Sequence, residues 1–328
     1  MKVLFIGGTG NISLSSTRLA IQRGIDIFLL TRAKGQTVPE GAVSLVADIN
    51  DEGKVKELIK GHHFDAVVNW IAFEPEDIKR DFRLFRDKTD QYVFISSASC
   101  YQKPLSHPVI TESTPLVNPF WDYSRKKIAC EDQLTDLYRN QGFPITIVRP
   151  SLTYDTVIPV PIGGWTEYTI VDRIKRKQPI IVHGDGSSLW TITHARDFAV
   201  GFLGLMGHQQ AVGQSFHITS DEILTWNQIY DAVAMTTGVE AVKVFIPSDY
   251  LGSFDEQLDG SLRGDKAVST IFDTTKIKRF VPEFNPVIRF KDGIRDTIDW
   301  FEGAPDRMLI KKETNDFMDR IIRAYNRP

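Results

Sequence analysis

Short, unbroken apolar runs alternate with stretches of helical spacing through the first half of the chain. Val3 to Ile6, Asp26 to Leu30, Val43 to Ala47, Ala66 to Ile71, Tyr92 to Ser96 and Ile145 to Arg149 read as strands. Helices are predicted over Ile12 to Arg23, ending at Gly24, over Glu52 to Lys60, and again from about Asp122. Continuous apolar strands suit a parallel sheet buried on both faces. Their alternation with helices predicts an α/β fold with a doubly wound parallel sheet. Beyond Pro150 the texture changes. Residues 157–165 are rich in proline and glycine and read as an irregular connection lining a cleft. Leu224 to Gly238 and Glu313 to Tyr325 read as helices, and residues 252–268, glycine-rich and charged, as a mobile loop over the site. The expected division is a body of residues 1–150 that also receives 187–222, and a smaller, discontinuous C-terminal substrate-binding region of 151–186 and 223–328.

Composition narrows the classes. The 328 residues, 42% hydrophobic and 25% charged, suffice for one large or two smaller cores. A net charge of −3 implies no general attraction to nucleic acid or to anionic lipid. Two cysteines are too few for a disulfide framework, which fits a reducing compartment. The first apolar run is too short for a signal peptide or a membrane span, so a cytoplasmic location is expected. The seven histidines show no ligand-like cluster, and no metal is implied.

The first strand runs directly into Gly7-Gly8-Thr9-Gly10, and a helix follows. Such a turn lets backbone approach a pyrophosphate resting on the helix N-terminus, which predicts a Rossmann-type dinucleotide site at Gly7, Thr9, Gly10, Asn11 and Ile12. At the end of the second strand, where NAD sites usually present an acid, the chain has Thr31 and Arg32. A guanidinium suits a 2′-phosphate, so the reading leans to NADP over NAD. Asp48 and Ile49 follow the third strand. Asp48 suits either an adenine amino group or the N-cap of the next helix.

Tyr123 and Lys127 stand four residues apart and so share a helical face. An ammonium beside a phenol favours the phenolate and brings its pKa down toward the range of a general base. Ser96-Ser97-Ala98-Ser99 ends the fifth strand, at the sheet edge where ligands bind, and Ser97 is placed to donate a hydrogen bond to a substrate oxygen.

These motifs, with Arg149-Pro150 and with Gly184-Asp185-Gly186 leading to His194 and Asp197, occur in the order seen in the extended short-chain dehydrogenase/reductases. Over nearly its whole length the chain resembles their NAD(P)-dependent epimerase/dehydratase branch. The resemblance implies Tyr123 as catalytic base, Lys127 as its tuning group and ribose ligand, and Ser97 as the residue orienting the substrate oxygen. It also implies a homodimer packed through helices of the sheet domain. Two departures stand out. Dehydratases carry an Asp-Glu pair where this chain has Ala98 and Ser99, which argues against sugar 4,6-dehydration. Trp190 stands near the place of an arginine that serves the diphosphate of nucleotide sugars, with Arg173, Lys175, Arg176 and Lys177 as replacements or as a solvated face. Ser99, Trp165, Arg173 and Trp190 are the candidate substrate contacts. His194 and Asp197 read as ties between the two parts. The expected function is NAD(P)-dependent epimerisation or oxidoreduction at a secondary alcohol or ketone of a sugar or nucleotide sugar. The alternatives are an NADPH-dependent carbonyl reductase and, from another class, a cofactor-sensing or RNA-associated binding protein.

Overall fold

Alternation along β1 (Lys2–Ile6) sets the layers of the molecule. Leu4 and Ile6 enter the core on one side of the central sheet, and Val3 and Phe5 enter the core on the other. The computed structural model describes residues 1–32 and 38–326. After β1 come α1 (Ser13–Gln22), β2 (Asp26–Thr31), β3 (Val43–Val46), α2 (Glu52–Leu58), β4 (Ala66–Asn69), α3 (Pro75–Phe85) and β5 (Tyr92–Ile95). A two-residue strand, β6 (Val109–Ile110), precedes the long α4 (Asp122–Gln141), and Gly142 ends that helix at φ +67 before β7 (Ile145–Pro150).

The second half runs through β8 (Leu152–Tyr154), α5 (Thr169–Lys175), β9 (Ile180–His183), β10 (Leu189–His194) and α6 (Ala195–Leu205). It continues with β11 (Gln214–Ile218), β12 (Ile223–Thr225), α7 (Trp226–Thr237), β13 (Lys243–Ile246), α8 (Ser248–Gly252) and α9 (Glu256–Ser261). The chain closes with β14 (Ile271–Phe272), α10 (Thr275–Phe280), α11 (Phe290–Glu302) and α12 (Lys312–Tyr325).

Seven strands form one parallel sheet in the order β11-β7-β5-β4-β1-β2-β3. The order reverses between β1 and β4, so their carboxyl ends, at Gly7 and Trp70, open a crevice. A third core lies outside this sheet, where β8, β10 and β12 pair and α5, α7, α11 and α12 pack around the fully buried Trp226. The structure is thus a Rossmann-like α/β fold. Each of the six strands predicted from apolar runs is present and ends within two residues of its expected limit. The seventh, β11, has the mixed sequence Gln-Ser-Phe-His-Ile, which carries no continuous apolar run and joins the sheet by pairing with β7.

Residues 252–268 fold, contrary to the mobile loop expected of them. α9 leads into a single π-helical turn, Leu262–Lys266, in which Leu262 is fully buried and the Gly264 carbonyl accepts from Asn118 Nδ2 at 2.7 Å. The glycines that suggested mobility allow close packing instead. A Cβ on Gly264 would lie 2.7 Å from Trp121 Cβ. The helix expected from Leu224 starts at Trp226, because Ile223 to Thr225 pair with β10. Its Thr225 cap and its Gly238 terminus are as expected.

One buried ion pair joins α4 to the sheet. Arg149 on β7 donates to Glu131 on α4 from Nε at 2.9 Å and from Nη2 at 2.5 Å, and Ser96 Oγ donates to the same carboxylate at 2.5 Å. Arg149 Nη1 also donates to the Tyr101 hydroxyl at 3.2 Å. Glu131→Ala leaves the guanidinium buried without its partner carboxylate, and is expected to lower the unfolding free energy by roughly 3–5 kcal/mol in urea denaturation.

Candidate active site

A cleft of about 900 Å³ follows the carboxyl edge of the sheet and continues toward the third core. Its floor at one end is the glycine turn. Gly7 and Gly8 lie at φ +94 and +103, where side chains are strained, and a Cβ on Gly8 would meet Leu29 Cδ2 at 2.8 Å. No side chain caps the first turn of α1, so its backbone end is open to a ligand. Asn11 crosses the cleft entrance. Its amide donates to the Thr153 carbonyl at 2.9 Å and accepts from the amides of Asp155 and Thr156 at 2.9 and 3.2 Å, tying the turn to the segment after β7.

Thr9, Gly10, Ile12, Thr31, Arg32, Asp48 and Ile49 line the same end. Among the described residues Thr31 Oγ1 is buried without a hydrogen-bond partner, as is Trp70 Nε1 on the β4 side. Both line the cleft, and two orphaned polar atoms there fit a polar ligand such as a dinucleotide. Asp48 does not cap α2, because Asp51 takes that position and accepts from the Lys54 amide at 3.1 Å. Asp48 Oδ1 accepts from the Asn50 amide at 2.9 Å instead.

Ser97, Tyr123 and Lys127 meet at the centre of the cleft. Ser97 stands close enough to Tyr123 to draw its phenol's pKa down. Ser97 Oγ and Ser99 Oγ lie 2.9 Å apart, and Ser124 Oγ donates to Ser99 Oγ at 2.8 Å, so a line of hydroxyls runs from the phenol into the protein. The Tyr123 ring is held between Trp121, at 4.8 Å, and Phe73, at 5.3 Å. Burial pushes its phenol up to about 12, with Ser97 working in the opposite direction.

The expected lowering by Lys127 is therefore not found. The Lys127 ammonium donates instead to the carbonyls of Ala72 at 2.7 Å and Ile95 at 2.9 Å, over the face of Phe94. Desolvation lowers it to about 8. Sharing a helical face puts the two side chains near one another, but the carbonyl ends of the adjoining strands decide where the ammonium points.

Ser99, Trp165 and Trp190 line the far end, together with Trp121, Val160, Pro161, Asp265, Lys266 and Phe272. Arg173 does not. It is 1% exposed and donates to the Pro179 carbonyl, to Asn315 and to Asp319, because its position on α5 faces the terminal helix α12. Lys175 and Arg176 pair with Glu302 and Asp172. His194 caps α6 through the Arg196 amide, and Asp197 accepts from the Ile288 amide at 2.9 Å, which anchors the segment before α11. Trp70 and Trp121 were missed as site residues, whereas Lys266, read with Arg263 as a possible anion ligand of the segment over the site, does line the cleft and Arg263 does not. Only the crossing of chain segments distant in sequence brings Trp70 and Trp121 here. No helix among the described residues is long and apolar enough to cross a membrane, and none of their His, Cys, Asp and Glu side chains form a group of three that could hold a metal.

The Lys127 shift has a definite sign for stability. Its folded value of about 8 lies below the ordinary 10.5, so between these limits the unfolded chain holds a proton that the folded chain has released. This group therefore makes stability rise with pH through that window. Lys127→Met removes the dependence. The change in unfolding free energy on substitution should favour the variant most below about pH 8, and less by about 3 kcal/mol near pH 10.5, in denaturant titrations across that range.

Comparison with known proteins agrees with this geometry. The chain is 25% identical, over 98% of its length and 84% of the relative's, to the chloroplast stem-loop binding protein of 41 kDa b of Arabidopsis thaliana. Among solved structures it resembles the epimerase Mth375 of Methanothermobacter thermautotrophicus, with a TM-score of 0.75, 18% identity and 94% of each chain covered. It also resembles the UDP-glucuronic acid 4-epimerase of Bacillus cereus in complex with NAD, with a TM-score of 0.71, 16% identity, and 92% of this chain and 99% of that one covered. Residues 3–219 match the NAD dependent epimerase/dehydratase family, and the chain, of the extended short-chain dehydrogenase/reductase type, belongs to it.

Proposed function

We propose that the protein is an NAD(P)-dependent epimerase or oxidoreductase acting on a secondary alcohol or ketone of a sugar or nucleotide sugar. The observation that carries this reading is the meeting of Ser97, Tyr123 and Lys127 on the cleft that the glycine turn opens. The similarity to the Bacillus cereus enzyme, whose name gives UDP-glucuronic acid as substrate, supports the sugar class. In this reading residues 1–150 and 187–222 hold the cofactor, while 151–186 and 223–328 hold the substrate. A homodimer packed through the sheet-domain helices belongs to the same reading.

The glycine turn, the open end of α1, Thr31 and Arg32 would hold the dinucleotide, which supplies the two-electron redox chemistry when bound. Arg32 lines the cleft where an acid would favour NAD, and this supports a preference for NADP. Tyr123, protonated at neutral pH, donates its proton to a carbonyl oxygen and takes it back from the alcohol in the reverse direction. Ser97 holds the same oxygen, and Ser99 and Ser124 hold Ser97. Lys127, fixed by two carbonyls, places positive charge beside the developing phenolate. The absence of acidic residues at Ala98 and Ser99 supports proton transfer at one carbon without loss of water.

A second reading is a nucleic-acid-binding role. It is favoured by the match along almost the whole chain to a relative named for stem-loop binding.

Tyr123→Phe is expected to keep cofactor binding and to lower turnover by about 10²–10⁴-fold. Unchanged turnover would remove Tyr123 from its role, and binding of stem-loop RNA by a protein inert toward every sugar alcohol tried would select the second reading. Denaturing the purified protein and identifying the released nucleotide tests the cofactor. Tightly held NAD(H) argues for an epimerase and against the NADP preference. An empty protein that binds NADPH over NADH, with Arg32→Asp reversing the order, supports it.

A further inference from the structure

The charged side chains that line the cleft, among the described residues, fall into three groups. Arg32 and Asp48 stand at the glycine-turn end, Lys127 at the centre, and Asp265 and Lys266 at the far end. Lys127 is committed to two carbonyls. At the far end the other walls are aromatic, aliphatic or serine hydroxyl, so the one ammonium there governs which charged group can enter.

Lys266 is held as a fixed element. Its carbonyl accepts from Trp226 Nε1 at 3.0 Å and lies 3.2 Å from His183 Nε2, while the π-helical turn that carries it is pinned by Asn118 through Gly264. Its side chain is 13% exposed, with Nζ 5.1 Å from the centre of the Trp121 ring. Among the described residues its only ion pair is with its chain neighbour Asp265, at a long 3.3 Å. Trp226, which fixes its backbone, lies tilted with its ring 5.5 Å from that of Trp190, a lining residue whose buried indole N–H has no partner among the described residues.

Behind this pair lies Lys103. It is 2% exposed, and its ammonium has no hydrogen-bond partner. Burial depresses its proton affinity, Asp265 opposes that shift, and Lys266 adds to it.

We infer that Lys266 holds an oxyanion of the substrate, a carboxylate or a phosphate, and so makes the far end of the cleft selective for an acidic sugar. The inference refines the sugar class proposed above and rests on that reading only for the word sugar.

The test is a fluorescence titration of the full chain, since Trp121, Trp165 and Trp190 all line the cleft. The probes are glucuronate, glucose 1-phosphate and glucose. Wild type should bind one or both anions more tightly than glucose, and which one identifies carboxylate or phosphate as the partner. Lys266→Gln should weaken that binding about 10- to 100-fold without affecting glucose, and Lys266→Arg should restore most of it. NADPH binding measured in parallel reports that each variant is folded. Equal binding of anions by wild type and Lys266→Gln, or no preference for either anion over glucose, overturns the inference. Anion binding that depends on Lys266 in a protein with neither epimerase nor redox turnover on any sugar tried would uphold it and sink the enzymatic reading instead.

Discussion

The buried pair between Glu131 and Arg149 is the constraint on which the geometry of the site depends. It fixes α4 against β7 at a point two helical turns below Tyr123, and the same carboxylate accepts from Ser96, the residue preceding Ser97. A helix on a sheet has freedom to slide and rotate while keeping its apolar face buried, because dispersion contacts are not directional. Two charges in a low dielectric have no such freedom: they must meet with their hydrogen bonds complete or the desolvation is uncompensated. The pair therefore sets how α4 lies, and so where Tyr123 and Lys127 stand relative to the ends of β5 and β7.

The centre of the cleft shows what burial does to a proton-transfer group. Tyr123 is shifted up and Lys127 down, and in both cases desolvation disfavours the charged form. Lys127 is not among the groups that shift Tyr123. The lysine is held by carbonyls from two different strand ends, and the tyrosine stands close to Ser97. A site arranged in this way keeps its proton on the phenol until a ligand changes the local field.

The far end of the cleft is built by different means. Its residues come from the turn after β8, from β10, from the π-helical turn and from the residue just before α4, and they are held together by tryptophan packing and by backbone carbonyls. Glycines at 163, 164, 260 and 264 let these segments approach, since a side chain at any of them would strike a neighbour. The result is a rigid pocket whose polarity rests on a few side chains, consistent with a family that keeps one redox centre and varies what enters it.

Local pattern determined the sheet and half of the site. Most of the six strands were legible because a strand buried on both faces is apolar along its length, while β3, exposed at Val43, Ser44 and Val46 on the sheet edge, was legible from its apolar residues alone; the glycine turn was legible because positive φ and close packing at Gly7 and Gly8 leave few other residues usable. Ser97, Tyr123 and Lys127 were legible as an ordered motif. Only the tertiary structure decided the rest. It showed that Arg173 faces α12, that Asp51 rather than Asp48 caps α2, that Lys127 is turned toward carbonyls, and that residues 252–268 fold against Trp121. Each of these is settled by a partner far away in the chain, and a charged or glycine-rich segment carries no local signal of what will stand opposite it once the layers have packed.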